Sequence, residues 1–326
     1  MDQRKRDPAR RPGEFELIAR CFRPLAAGRE GALGLTDDAA LIDIPAGRRL
    51  VVTADALVAG VHFFPDDPPD LIARKMLRVN LSDLAAMGAT PLAYVMTCCF
   101  PATIDETWLA GFAEGLAQDQ REFEIALMGG DTTATPGPLT LSLTAMGSVA
   151  TGQELRRSTA RPGDLVAVSG SIGDAALGLA VLRGRIPKGE GTEALISRYH
   201  LPQPRIALGQ RLAGRATACM DISDGLAGDL AHICEASRLG AVIEAARVPL
   251  SAQARAIVAR DPKWLTTVLT GGDDYELLFT LPPARESELA GLPVTVIGRM
   301  EAGSGVKVVD STGNPLALGV GGYRHF

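Results

Sequence analysis

The stretch 77–88 shows the clearest helical pattern of the chain. Its residues Leu77, Leu81 and Leu84 are three or four positions apart, so they lie on one apolar face of a predicted helix that ends at Gly88. Asp83 lies inside this apolar run, and no Lys or Arg is found within four residues on either side. A carboxylate in apolar surroundings is costly unless a cation meets it. Asp83 therefore either lies at the solvated edge of the helix or belongs to a functional site.

Predicted strands and helices alternate along the rest of the chain, which is typical of an α/β fold. The pattern predicts strands over 50–57, 92–100, 124–128, 139–149, 164–169, 241–245, 264–270, 277–281, 294–297 and 306–309. It predicts helices over 14–22, 105–121, 193–200, 205–215 and 252–260, and two more that end at residues 182 and 239. A polar, glycine-containing segment interrupts the pattern at 150–163. We therefore predict a disordered tail over 1–13, an N-terminal α/β domain over 14–150 and a C-terminal α/β domain over 151–326.

The composition is that of a soluble globular protein. With 326 residues, of which 46% are hydrophobic and 22% charged, the chain is long enough for two ordinary domains. Its net charge of −5 argues against electrostatic binding of nucleic acid. No run approaches the ~18 apolar residues of a membrane span. The five cysteines form no CxxC pair and are best interpreted as reduced core residues of a cytoplasmic protein, and the four histidines are too scattered to suggest a zinc-type cluster.

Isolated aspartates recur beside glycine, serine or threonine, and most of them follow an apolar strand. They are Asp37/Asp38, Asp55, Asp83, Asp131, Asp221/Asp224 and Asp273/Asp274. Because ligands of α/β sheets bind beyond the carboxyl ends of the strands, we expect several of these acids to converge. Converging carboxylates repel one another and require cations, and an oxygen-only ligand set favours Mg²⁺ bound together with substrate phosphates. For each acid taken alone, ordinary turn or helix-cap chemistry remains the alternative.

Two further features bear on phosphate binding. The turn at 169–173, Ser-Gly-Ser-Ile-Gly, precedes a predicted helix and resembles a phosphate cradle, although an ordinary strand-to-helix turn explains it equally well. Arg157, near the domain junction, either pairs with a phosphate or lies in a solvated linker. The chain contains neither a Walker sequence nor the protein-kinase motif set.

The motifs, taken together and in this order, closely resemble those of the thiamine-monophosphate kinase family, within the aminoimidazole ribonucleotide synthetase-like superfamily. The resemblance runs from about residue 14 to the end of the chain and departs from the usual family pattern at Thr36 and Ala54. The motifs that carry it are Asp37-Asp38-Ala, Asp55…Gly60-Val-His62-Phe, Asn80-Leu-Ser-Asp83-Leu-Ala-Ala-Met-Gly88-Ala, Gly129-Gly-Asp131-Thr-Thr, Asp221-Ile-Ser-Asp224-Gly-Leu and Gly271-Gly-Asp273-Asp-Tyr-Glu276-Leu.

The resemblance implies two α/β domains of this superfamily's type, with the N-terminal domain forming a homodimer through its sheet. It implies transfer of a phosphoryl group from ATP to thiamine monophosphate with Mg²⁺. Carried over by motif, the implied metal ligands are Asp38, Thr53, Ala54 (through its carbonyl), Asp55, Asp83, Asp131, Asp221 and Asp224. The implied ATP contacts are Gly130, Asp131, Arg157 and Ser223, and the thiamine contacts are His62, Asp273 and Tyr323. Asp83, Asp131 and Asp224 are the candidate catalytic residues.

Two alternatives remain open at this stage. One is a sister enzyme of the superfamily, such as an aminoimidazole ribonucleotide or selenophosphate synthetase; for the latter, Cys21 in an apolar helix is a poor reactive cysteine. The other is a metal-binding protein without catalysis, which would bind Mg²⁺ or Ca²⁺ but would not turn over ATP.

Overall fold

This computed structural model of the protein describes residues 13–318. Tyr323 and the predicted tail, apart from Gly13, therefore lie outside the described residues. The chain divides into two compact units. The first contains the described residues up to Leu84 together with Thr90–Ser148, and the second contains Ala85–Ala89 and the described residues from Val149 onward.

A four-stranded mixed sheet with two long helices forms the main part of the first unit. In chain order its elements are α1 (Glu14–Leu17, continued by a π-helical segment Ile18–Phe22), β1 (Arg48–Val58), α2 (Pro69–Ala86), β2 (Thr90–Phe100), α3 (Glu106–Phe123), β3 (Ala126–Ala134) and β4 (Thr140–Ala150). The strand order is β1-β4-β2-β3. Strand β2 is parallel to β3 and antiparallel to β4, so β1 and β3 are the two edges of this sheet.

Helix α2 buries the apolar face that the sequence predicts. Leu77, Leu81 and Leu84 are all fully buried. The same helix also buries cations: the Arg78 guanidinium is paired with the Asp119 carboxylate of α3, and Arg74 Nε donates to Asp119 Oδ1 at 2.8 Å. Because each of these charges has an opposite charge beside it, the two helices can pack together through a polar contact.

The second unit contains a six-stranded mixed sheet with helices packed around it. Its strands are β5 (Leu165–Ser169), β6 (Ala218–Asp221), β7 (Gly240–Glu244), β8 (Leu277–Leu281), β9 (Val294–Glu301) and β10 (Gly305–Val309). Its helices are α4 (Asp174–Leu182), α5 (Thr192–His200), α6 (Ile206–Leu212), α7 (Leu226–Ser237), α8 (Ala252–Arg260) and α9 (Trp264–Thr270). The strand order is β10-β7-β9-β5-β8-β6.

Helix α9 corrects one element of the sequence analysis. The run 264–270, which is short and rich in apolar residues and threonine, is predicted from the sequence to be a strand. Leu265, Val268 and Leu269 have helical spacing, and the last two are fully buried in the core of this unit. A short apolar run fits either period, and here packing against the core selects the helix. As a result, Asp273 and Asp274 follow a helix rather than a strand.

Both units combine helices with a sheet, in agreement with the α/β prediction. None of the described helices is both long enough and apolar enough to span a membrane.

Candidate active site

Strand β1 and helix α2 bring three predicted metal ligands together in the first unit. Thr53 Oγ1 donates a hydrogen bond to Asp83 Oδ2 at 2.5 Å. Burial and, next, the charge of Asp83 raise the pKa of Asp55 to about 6. Ala54 lies between Thr53 and Asp55 on the strand and is exposed. Because its side chain is a methyl group, only its backbone carbonyl is available as a ligand. The group consists entirely of oxygen donors, and its two neighbouring carboxylates are the arrangement that a hard cation such as Mg²⁺ stabilises.

The Gly129-Gly-Asp131-Thr-Thr motif lies within strand β3 and not in the turn that its glycines suggest. Glycine is required because a Cβ at Gly130 would lie 1.9 Å from Met96 O of the neighbouring strand. Gly130 and Asp131 line a cavity of about 380 Å³ in the first unit. Asp37 and Asp38 line the same cavity. The structure therefore brings the predicted residues Asp38, Gly130 and Asp131 to one cavity.

The two groups of the first unit lie on opposite edges of its sheet. Asp55 belongs to β1 and Asp131 to β3, and strands β4 and β2 lie between them. Three strand spacings correspond to roughly 14 Å across the sheet. Within one chain, the sheet therefore does not bring Asp55 and Asp131 into contact with the same ion.

His62 is held by both its backbone and its ring. Its Nδ1 accepts a hydrogen bond from Val58 N at 3.0 Å, and its own N–H donates to Val58 O at 3.0 Å. The buried Lys75 donates from Nζ to His62 O at 3.1 Å. Because Nδ1 is an acceptor, the proton of the neutral imidazole is on Nε2. His62 is thus arranged to donate a hydrogen bond through Nε2–H.

In the second unit, the motifs Asp221-Ile-Ser-Asp224-Gly and Gly271-Gly-Asp273-Asp-Tyr-Glu276 pair through their backbones. Asp273 N donates to Ser223 O at 2.9 Å, and Tyr275 N donates to Ile222 O at 2.8 Å. Gly272 approaches so closely that a Cβ there would lie 2.0 Å from Ser223 O. This pairing brings together four predicted site residues, namely Asp221, Ser223, Asp224 and Asp273.

A cluster that the sequence analysis missed lies beside Asp224. Ligand atoms of Asp224, Asp229 and His232 lie within 4.8 Å of one another, a spacing that could hold a metal ion. Asp229 Oδ2 accepts hydrogen bonds from Asp224 N and Gly225 N, both at 3.0 Å. This group contains one histidine, a residue that was not among the candidate metal ligands from the sequence. The sequence feature that could have revealed this cluster is the three-residue spacing of Asp229 and His232, which places both on one face of α7.

The electrostatic surroundings of Asp229 also indicate that Arg157 lies nearby. Burial and then the charge of Asp224 raise the pKa of Asp229 to about 7, while its two backbone hydrogen bonds and the charge of Arg157 lower it. Arg157 is exposed, and its backbone carbonyl accepts a hydrogen bond from Ser237 Oγ at 2.8 Å. Arg157 therefore lies close enough to the Asp224 group to act on the same ligand.

The turn at 169–173 does not provide an open phosphate cradle. Gly173 N donates to Asp274 Oδ2 at 2.7 Å, and the Asp174 carboxylate accepts from Ser171 Oγ and Ser251 Oγ. The Gly173 amide, which a phosphate would use, therefore already donates its hydrogen bond to a carboxylate of the protein. The geometry favours the ordinary strand-to-helix turn, which was the open alternative.

Comparison with known proteins first defines the class. Residues 36–149 match the family model "AIR synthase related protein, N-terminal domain", and residues 161–311 match "AIR synthase related protein, C-terminal domain". The protein therefore consists of two domains of this class, which confirms the fold inferred from the motifs.

More specific similarities identify the family. The chain is 43% identical to thiamine-monophosphate kinase of Escherichia coli O157:H7, over 96% of this chain and 98% of that protein. The crystal structure of thiamine-monophosphate kinase from Stenotrophomonas maltophilia K279a superposes with a TM-score of 0.82 at 42% identity, over 91% of this chain and 96% of that one. AaThiL complexed with AMPPCP and TMP gives a TM-score of 0.79 at 31% identity, over 96% and 97% of the two chains. The chain belongs to the thiamine-monophosphate kinase family and is a phosphotransferase.

Proposed function

We propose that this enzyme transfers the γ-phosphoryl group of ATP to thiamine monophosphate, giving thiamine diphosphate and ADP, with Mg²⁺ bound by its aspartates. The observation that carries the proposal is the all-oxygen group of Thr53, Asp55 and Asp83, in which Asp55 has a raised pKa. Family membership and the relative that binds AMPPCP and TMP support the choice of nucleotide and acceptor. The free thiols of the described cysteines support a location in the cytoplasm.

The residues suit a reaction that depends on positioning and charge. The attacking group is a phosphate oxygen that is already anionic, so no strong general base is needed. Asp83, Asp131 and Asp224 are the acids that would hold Mg²⁺. Bound Mg²⁺ would neutralise the phosphate charges and thereby favour in-line attack. The donor set fits this ion because its side chains are carboxylates and a hydroxyl.

The cavity beside Gly130 and Asp131 is the proposed site for the nucleoside of ATP. Asp38 and Asp131 are among its polar lining residues, whereas Phe22, Leu35 and Met128 contribute apolar lining. Its volume of about 380 Å³ lies within the usual range of small-molecule sites. Arg157 and Ser223 are proposed ATP contacts from the motif resemblance.

His62 and Asp273 are proposed to contact the thiamine moiety. His62 offers a donor through Nε2, which suits a ring nitrogen or a phosphate oxygen. Asp273 offers a carboxylate, and an anion beside the thiazolium cation is favourable. Tyr323 has the same proposed role from the resemblance, because an aromatic ring can face a cation.

We also propose a homodimer formed through the sheet of the first unit. Strand β1 is an edge strand, and Leu50 and Val52 on its outer face are 47% and 56% exposed. A second copy would cover these apolar side chains. It would also allow the Asp131 group of one protomer to approach the Asp55 group of the other, although the two groups lie on opposite edges within one protomer. Mixed dimers of Asp55→Asn and Asp131→Asn chains should then regain activity that neither variant has alone.

The direct test of the proposed function uses purified protein with ATP and Mg²⁺. Thiamine monophosphate should yield thiamine diphosphate and ADP in equal amounts, whereas aminoimidazole ribonucleotide precursors and selenide should yield no product in parallel reactions. Absence of thiamine diphosphate under these conditions would refute the proposal. ATP turnover with one of the other substrates would identify a sister activity.

A further inference from the structure

The segment 271–276, here called the Asp273 segment, has an unusual backbone. Asp273 and Tyr275 are not glycines, yet both adopt left-handed conformations with φ of 69° and 52°. Side chains rarely adopt this conformation, and it persists only when the surrounding structure imposes it. Asp273 is the proposed thiamine contact, so the groups that impose this backbone also determine where its carboxylate lies.

Glu276 anchors the end of the Asp273 segment. Its carboxylate is fully buried and accepts hydrogen bonds from Arg198 Nη2 at 2.8 Å, from Arg205 Nε at 2.6 Å and from Ser169 Oγ at 2.5 Å. Arg198 Nη2 also donates to Asp274 O at 3.3 Å, within the same segment. The two guanidinium groups thus fix both the side chain at the end of the segment and a carbonyl in its middle.

The same anchor extends to the proposed metal and nucleotide residues. Ile222 N donates to Glu276 O at 2.9 Å, which continues the backbone pairing that joins Ser223 to Asp273. A Cβ at Gly170 would lie 2.2 Å from Glu276 Oε1, so the carboxylate packs closely against this glycine at the strand end. Displacement of Glu276 would therefore shift Ser223 and Asp273 together.

We propose that Arg198 and Arg205 are positioning residues of the phosphoryl transfer. They act through the Glu276 carboxylate to hold the Asp273 segment against residues 222–224, and so set the Asp273 carboxylate and Ser223 relative to each other. This inference rests on the proposed function for the identity of the ligands. The geometric part, that the two arginines maintain the left-handed backbone at Asp273 and Tyr275, can be tested without any ligand.

The first unit offers a closely matched control. Arg198 Nη2 and Glu276 Oε1 are 2.8 Å apart, with side chains 18% and 0% exposed. Arg74 Nε and Asp119 Oδ1 are also 2.8 Å apart, and their side chains are likewise 18% and 0% exposed. The Arg74 pair joins α2 to α3. Within the described residues the ion-pair partners of Arg74 are Asp119 and Glu122, neither of which is a proposed ligand residue. Loss of either arginine therefore removes an equivalent ion pair, but only Arg198 lies beside the Asp273 segment.

The experiment compares Arg198→Ala, Arg205→Ala and Arg74→Ala. We expect similar losses of thermal stability for Arg198→Ala and Arg74→Ala. The KM for thiamine monophosphate should rise about 10-fold or more in Arg198→Ala and Arg205→Ala, because small misplacements of binding groups have effects of this size, and should stay within about 2-fold in Arg74→Ala. Arg198→Lys, which keeps a cation near Glu276, should give an intermediate KM. Hydrogen exchange of peptides covering 271–276 should become faster in the Arg198 and Arg205 variants only.

Each outcome bears on the inference. If Arg198→Ala and Arg205→Ala lose stability but keep the wild-type KM and exchange at 271–276, the arginines are merely structural and the inference is overturned. If the alanine variants do not fold, the lysine variants decide, since a folded Arg198→Lys or Arg205→Lys with wild-type KM and exchange also overturns it. If wild-type enzyme does not phosphorylate thiamine monophosphate, the proposed function fails, and hydrogen exchange still decides whether the arginines maintain the segment.

Discussion

Two groups of acidic residues differ in how their charge is balanced. Glu276 in the second unit is fully buried and receives two guanidinium groups from its own chain. Asp55 in the first unit lies close enough to Asp83 for the charge of one to raise the pKa of the other, and in the described part of the chain Asp55 forms no ion pair. The charge of the first group is balanced within the protein, whereas for the second group we propose that a bound cation completes the balance.

The energetic difference between the two groups is large. Two like charges about 4 Å apart repel by about 4 kcal/mol at an effective dielectric of 20, and an uncompensated buried charge costs still more. A protein can retain such a group only if the rest of the fold offsets its cost. The comparison therefore distinguishes an acid that holds the structure together from two acids whose proposed role is to bind a ligand.

Glu276→Gln should produce the largest effect of the variants that probe this comparison. The substitution leaves two arginines beside a neutral group, and breaking a buried pair in this way costs about 3–5 kcal/mol. Urea unfolding should show this loss in the free energy of unfolding. Glu301→Gln is the matched control, because its pair with Arg299 is exposed and should cost less than about 1 kcal/mol. Equal losses for the two variants would show that Glu276 is no more structural than a surface acid.

Asp83→Asn should instead preserve the fold and remove activity. Because the carboxylate would hold Mg²⁺ where phosphate charge must be neutralised, we expect kcat to fall by at least ~10²-fold. Circular dichroism and thermal unfolding without metal should show a folded protein. Asp70→Asn, at the start of the same helix, should keep the wild-type rate. A fully active Asp83→Asn enzyme with full metal occupancy would contradict the proposed role of Asp83.

The sequence predicts these two groups to different degrees, for a physical reason. Asp83 is visible because an acid inside the mostly apolar run 77–88 breaks a local pattern. The partners of Glu276 are Arg198 and Arg205, which are 78 and 71 residues away, and no local pattern connects them. Local periodicity reports on neighbours along the chain, whereas these ion pairs depend on how Arg198 in α5 and Arg205, just before α6, come to lie beside the residue that precedes β8.

The errors in secondary structure have a similar origin. The run 264–270 has residues that favour strands, but Val268 and Leu269 find their core contacts as part of a helix. The glycines at 129 and 130 suggest a turn, but Gly130 lies in a strand because the backbone of Met96 approaches it closely. The motif resemblance identified the candidate residues. Only the structure shows that Asp55 and Asp131 lie on opposite edges of one sheet.

Asp55→Asn should change the pH dependence of stability in the metal-free enzyme. The folded pKa of Asp55 is about 6, above the ordinary value of 3.8, so the folded state binds this proton more tightly than the unfolded state. Its contribution to stability is therefore fully present below pH 4 and is lost as the pH rises through 6. The variant should lack this loss and should be more stable than wild type at pH 8, by about 2 kcal/mol once solvent screening is allowed for.

Denaturant unfolding between pH 4 and pH 8 in the presence of a chelator measures this effect. Saturating Mg²⁺ should stabilise wild type at pH 8 and should have a smaller effect on Asp55→Asn, because the variant lacks one carboxylate. A wild-type enzyme whose metal-free stability does not fall between pH 4 and pH 8 would show that Asp55 and Asp83 are already balanced within the chain. The contrast with Glu276 would then disappear.

Thr53→Val should have the smallest effect and tests how the metal group is arranged. Valine has nearly the shape of threonine but cannot donate the hydrogen bond that Thr53 Oγ1 makes to Asp83 Oδ2. We expect the free energy of unfolding to stay within about 1 kcal/mol of wild type, since a single hydrogen bond contributes about that much. The apparent affinity for Mg²⁺ should fall roughly 10-fold, because groups that orient or supply metal ligands typically have effects of this size. Thr53→Ser keeps the hydroxyl and should bind Mg²⁺ like wild type. Equal Mg²⁺ affinity in the valine and serine variants would mean that the hydroxyl neither binds the ion nor orients Asp83, and that Asp55 and Asp83 form the group by themselves.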